Sequence, residues 1–117
     1  MMINWNELTT LEQWSETFDQ SEQKPLFVFK HSTTCPISAE ALREFEQYLQ
    51  EDPKKDISYV LVKVIESRPV SNQITEDIQV KHESPQAIMI HNKKAVWNAS
   101  HWKITSKSIK EAMQTAF

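Results

Sequence analysis

Apolar side chains recur along this chain with two spacings, and the switch between them marks out the elements. Leu11, Trp14 and Phe18 stand at i, i+3 and i+7 behind Thr9 and Glu12, a capping-box pair, and predict an amphipathic helix running to about Glu22. Pro25 opens Leu26-Phe27-Val28-Phe29-Lys30, a short β-branched and aromatic run that reads as a buried strand. From Pro36 the spacing is helical again, with Ile37, Ala41, Phe45, Tyr48 and Leu49 on one face and Glu40, Arg43, Glu44 and Gln47 on the other. Asp52-Pro53-Lys54-Lys55 ends that helix, and Ile57 to Ile65 holds a second strand. Ser67-Arg68-Pro69 starts a third helix, whose buried stripe is Val70, Ile74 and Ile78. Gln86 to Ile90, a turn at His91-Asn92-Lys93-Lys94, and Ala95-Val96-Trp97 make a β-hairpin. A last helix begins near Thr105 and docks through Ile109, Ala112, Met113 and Ala116.

The resulting order, α-β-α-β-α-β-β-α, resembles the thioredoxin-like fold. This is an α/β architecture in which a central four-stranded mixed sheet is flanked by helices. Its first two strands enclose a right-handed crossover helix, and the hairpin adds two antiparallel strands. A chain of 117 residues fits one domain, 1–117, and at this size roughly two-thirds of the unfolded surface can be buried without metal or disulfide staples. Glycine is absent, so turns that need positive φ must recruit other residues, and Asn92 is the expected hairpin substitute.

Charge and hydropathy then narrow the partners. Thirteen Lys and Arg against sixteen Asp and Glu give a net charge of −3, which supplies no basic field for nucleic acid or an anionic membrane. Apolar runs such as Tyr59-Val60-Leu61-Val62 fall far short of the ~20 residues that span a bilayer. The first residues, Met1 to Glu7, lack the basic and apolar regions of a secretion signal, so a cytoplasmic location is expected, and a monomer is expected separately. The lone cysteine, Cys35, can form no internal disulfide, which agrees with a reducing compartment.

Cys35 falls between a strand and the start of a helix, where unpaired backbone N–H groups and the positive end of the helix dipole favour a thiolate. Thr34, Pro36, Ile37 and Ser38 surround it as candidate thiolate-stabilising residues. Ser38 stands where a dithiol enzyme carries its resolving cysteine, and its hydroxyl is expected to donate to Cys35. Ser84-Pro85, just before the third strand, occupies the place of the cis-proline of thioredoxin-fold proteins, where the Ser84 backbone would pair with a substrate. The four histidines lack metal-ligand spacing, so no metal is expected, and His31 reads as a strand-end residue. His101, Trp102 and Lys103, just before the last helix, form a candidate subsite for a carboxylate.

The segment Phe29-Lys30-His31-Ser32-Thr33-Thr34-Cys35-Pro36-Ile37-Ser38 closely resembles the monothiol bacilliredoxins, YtxJ-like members of the thioredoxin superfamily. The likeness continues through His82-Glu83-Ser84-Pro85-Gln86 and Ser100-His101-Trp102-Lys103-Ile104-Thr105. The resemblance implies an enzyme that removes bacillithiol from S-bacillithiolated client proteins by transfer to Cys35, with bacillithiol as co-substrate and no permanently bound cofactor. It also implies that the malate carboxylates of bacillithiol are anionic targets for Lys30, Lys103 and a helix N-terminus. Two other readings compete. A one-cysteine peroxidase would need a Thr and a Pro where this chain has Ser32 and Val28. A thioredoxin-fold stress protein or thiol sensor would be modified at Cys35 without turning over.

Overall fold

The computed structural model describes residues 5–51 and 53–116. Met1–Asn4, the expected helix stop at Asp52, and Phe117 lie outside the described residues. Strand β1 (Asn6–Glu7) precedes helix α1 (Leu11–Gln20), which is followed by β2 (Leu26–His31) and α2 (Pro36–Glu51). Then come β3 (Ser58–Lys63), α3 (Arg68–Ile78), β4 (Gln86–His91), β5 (Lys94–Ser100), a 3₁₀ turn (His101–Lys103) and α4 (Ser106–Ala116).

The sheet is five-stranded, in the order β1-β3-β2-β4-β5, rather than the expected four. The extra strand is two residues long, too short to carry a periodic signal, and exists because its backbone pairs in parallel with Val60 and Leu61 of β3. The rest of the sheet is as expected for the class: β2 runs parallel to β3, and β4 runs antiparallel to both β2 and β5.

Alternation along the buried strands divides the core in two. Phe27 and Phe29 of β2 pack with Phe45, Tyr59 and Met113 on the face covered by α2 and α4. Leu26 and Val28 pack with Trp14, Val60, Val70 and Ile74 on the face covered by α1 and α3. Helix α1 starts one residue later than expected: Thr10 is its N-cap, and Gln13, not Glu12, completes the capping box. Trp14 is buried and donates from Nε1 to Asp77 at 2.7 Å, whereas Leu11 at the start of the stripe is exposed. Thr105 and Ser108 cap α4 reciprocally, each hydroxyl accepting the other residue's backbone N–H.

Among the described residues, five non-glycine residues fill left-handed positions: Asp56, Gln79, Asn92, Lys93 and His101. Asn92 and Lys93 (φ 55° and 63°) make the two-residue hairpin turn. Ser21 secures that turn by accepting the Asn92 N–H on its carbonyl and the Lys93 N–H on its hydroxyl.

Candidate active site

Strand β2 ends by sending two polar side chains to opposite faces of the sheet, and the chain then turns into α2. Cys35 is the residue before the first helical position: its N–H donates to the Ser32 carbonyl at 3.3 Å, and its carbonyl accepts from Ala39 at 3.0 Å. Pro36 has no N–H to offer, so Ile37 and Ser38 supply the first free amides of the helix end. Cys35 is partly exposed, Thr34 and Pro36 are exposed, Ile37 is half-buried and Ser38 is fully buried. The thiol is thus reachable while the residue three positions on is not.

The expectation that Ser38 donates to Cys35 is corrected by the environment of its hydroxyl. Ser38 Oγ accepts the Ser32 N–H at 2.9 Å and lies 2.7 Å from Nδ1 of His31. The hydroxyl therefore ties the Cys35 turn to the end of β2. His31 is buried, and that burial lowers its pKa below the ordinary histidine value, against the attraction of Glu66. Glu66 also accepts from Thr33 Oγ1 at 3.0 Å, which anchors the outer side of the same turn.

Lys30 is the second correction. The resemblance implies that it meets the malate carboxylates, but its side chain is fully buried. Position 30 alternates onto the α3 face, and Nζ lies 3.3 Å from the Ser71 carbonyl, 3.0 Å from Thr75 Oγ1 and 3.2 Å from His82 Nδ1. Desolvation pulls its pKa down to about 8. Sequence reading missed His82, Ser71 and Thr75 as partners, since they lie on remote elements and no local signal points to them.

The Ser84–Pro85 peptide bond is cis. Gln86 pairs with Lys30 in the sheet, which sets this segment beside the end of β2 that leads to Cys35. Pro85 is buried, and its carbonyl accepts the His101 N–H at 3.1 Å, joining the 3₁₀ turn to the same end of the sheet. Ser84 Oγ and Gln86 Oε1 are buried without a hydrogen-bond partner among the described residues. His101, Trp102 and Lys103 are all exposed, Trp102 at 69%. His101 and Lys103 line a polar cavity of about 340 Å³ with Glu83, Asn98, Ala99 and Ser100. Glu83 accepts from Ser100, and this bond, with the nearby His101, Lys81 and Lys103, holds its carboxyl below the ordinary range.

Among the described residues, no group of three His, Cys, Asp or Glu side chains is placed to hold a metal ion. No helix among them is long and apolar enough to cross a membrane.

A cysteine at the head of the helix after the central strand, with a cis-proline segment at the same end of a mixed sheet, defines a thioredoxin-fold thiol oxidoreductase. Solved structures agree. One thioredoxin-fold protein, proposed to be an oxidoreductase, is 37% identical over 92% of both chains, with a TM-score of 0.79. Thioredoxins of Malassezia sympodialis (13% identical, 100% and 96% covered, TM-score 0.76) and Fasciola hepatica (13%, 96% and 99%, 0.75) share the fold. Within that class the chain belongs to the monothiol bacilliredoxin family, whose model, Monothiol bacilliredoxin BrxC, matches residues 6–109.

Proposed function

We propose that this protein is a cytoplasmic monothiol enzyme that strips bacillithiol from S-bacillithiolated proteins. The Cys35 thiolate attacks the bacillithiol sulfur of a protein–bacillithiol disulfide. A Cys35–bacillithiol disulfide forms as the old S–S bond breaks, and the client leaves as a thiolate that takes a proton from solvent. A second bacillithiol thiolate then attacks the bacillithiol sulfur of that adduct, releasing the Cys35 thiolate and bacillithiol disulfide.

The observation that carries this reading is the reachable Cys35 at the head of α2, with a buried, hydrogen-bonded Ser38 in place of a resolving thiol. Membership of the bacilliredoxin family supports bacillithiol as the thiol. The unpartnered Ser84 Oγ and Gln86 Oε1 support a polar ligand at the Pro85 segment. Lys103 and His101 remain candidates for the malate carboxylates, with Trp102 beside them. Glu83 in the same cavity limits how much negative charge that subsite accepts.

The test is mass spectrometry of the protein with a bacillithiolated substrate protein, following the Cys35 adduct and the freed substrate thiol together. Transfer to Cys35, and turnover once bacillithiol is added, is expected. Modification that stops at one equivalent would instead make Cys35 a sensor, and an unmodified Cys35 would remove the reading altogether. Cys35→Ser is expected to fold normally and lose all exchange, because a hydroxyl does not replace the thiolate.

A further inference from the structure

The Lys30 ammonium has three N–H donors, and the fold gives it three neutral acceptors: the Ser71 carbonyl, Thr75 Oγ1 and His82 Nδ1. Two of these belong to α3, and the third belongs to the segment that runs into Ser84-Pro85. Such an arrangement is costly for stability alone, since a buried charge without a carboxylate is replaced favourably by an apolar side chain of the same shape. His82 is exposed as a residue, but its ring is partly buried, and this desolvation is the first cause that holds it below the ordinary histidine pKa.

We propose that Lys30 is a positioning residue: through His82 it fixes the 82–85 segment against α3 and the end of β2, so that the Ser84 backbone is set for the substrate disulfide. The claim that this segment receives substrate rests on the function proposed above; the claim that Lys30 fixes the segment does not.

A protonated lysine only donates, so His82 Nδ1 must accept, which makes His82 the neutral imidazole with its proton on Nε2. Protonation of His82 turns that contact into two facing donors. The charged groups acting on His82 are Lys30 from β2 and Arg68 from α3, both opposing its protonation, and Glu83 from its own segment, favouring it. Facing Lys30, Ser71 and Thr75 of α3 and the paired Val62 and Gln86 of β3 and β4 carry no charge. Acid therefore releases the segment through His82.

Lys30→Met and His82→Asn test the proposal, the second keeping a side-chain acceptor that does not titrate. Backbone 15N order parameters at Glu83 and Ser84 are expected to fall from rigid values of about 0.85 toward about 0.6 in Lys30→Met and to stay near wild type in His82→Asn. For a bacillithiolated substrate protein, KM is expected to rise about tenfold in Lys30→Met with kcat nearly unchanged. In the wild type KM rises as pH falls through the His82 titration, and in His82→Asn it does not. Unchanged order parameters in Lys30→Met would overturn the proposal, whatever the activity. Lower order parameters with an unchanged KM would overturn its link to substrate. If the wild type fails to act on the bacillithiolated protein, the function proposed above falls, and the order parameters still decide the role of Lys30.

Discussion

Replacing Lys30 with methionine, similar in length but uncharged, is expected to stabilise the protein at neutral pH. The side chain is fully buried, and among the described residues its ammonium meets only neutral acceptors. Burial lowers its pKa from 10.5 to about 8, and at ~1.4 kcal/mol per pH unit this is about 3 kcal/mol by which folding disfavours the protonated form. Below about pH 8 both the folded and the unfolded chain carry the proton, and the full cost is present. Between about 8 and 10.5 the unfolded chain keeps the proton that the folded one has lost, so wild-type stability rises with pH across that window. The methionine variant lacks this component. It should exceed the wild type by up to about 3 kcal/mol at neutral pH, with the gap closing from about pH 8 upward. Urea unfolding of both proteins by tryptophan fluorescence, at several pH values across this range, measures the gap and cancels titrations common to both. A variant less stable than the wild type at neutral pH, or a gap independent of pH, would refute the reasoning by showing that the three hydrogen bonds outweigh the desolvation.

Other substitutions probe the remaining polar contacts. Ser38→Ala removes the acceptor of the Ser32 N–H and the partner of His31, and is expected to cost ~1–3 kcal/mol, read as a lower urea midpoint with an unchanged slope. Tyr59→Phe breaks a buried ring in which the Lys54 N–H donates to the Tyr48 hydroxyl, which pairs with the Tyr59 hydroxyl, which donates to the Lys54 carbonyl. A loss of ~1–2 kcal/mol in the same assay is expected, and none would mean that the ring closes through solvent. His31 has a folded pKa below the ordinary 6.5, so its contribution to stability is complete above that value and is lost as pH falls toward the folded one. His31→Gln should flatten that part of the acid limb, and an unchanged limb would place the titration elsewhere.

Much of this molecule was legible from short-range chemistry. Helical stripes such as Ala41, Phe45, Tyr48 and Leu49, proline at the first helical position after Cys35, and Asn92 in a glycine-free turn each depend on residues a few positions apart. Local signals were enough to place a lone cysteine at the head of a helix beside a central strand, and hence the thiol chemistry. They missed by one residue at the α1 cap, where Thr9–Glu12 and Thr10–Gln13 offer the same pattern and the second pair wins.

Only the tertiary structure decided the partners of the polar groups around that cysteine. The acceptors of Lys30 lie 41, 45 and 52 residues further along the chain, and the residues that pair with β1 are as remote. A lysine ending an apolar run reads equally well as emerging into solvent or as buried. Which it does depends on the register that turns position 30 onto the α3 face, and on whether α3 presents acceptors there. Ser38 is the same case at shorter range: its hydroxyl had a choice between Cys35 and His31, and the pleat that points His31 toward α2 determined the outcome. Sequence periodicity specifies which face of an element is apolar, but the pairing of buried polar groups is a property of elements brought together from distant parts of the chain.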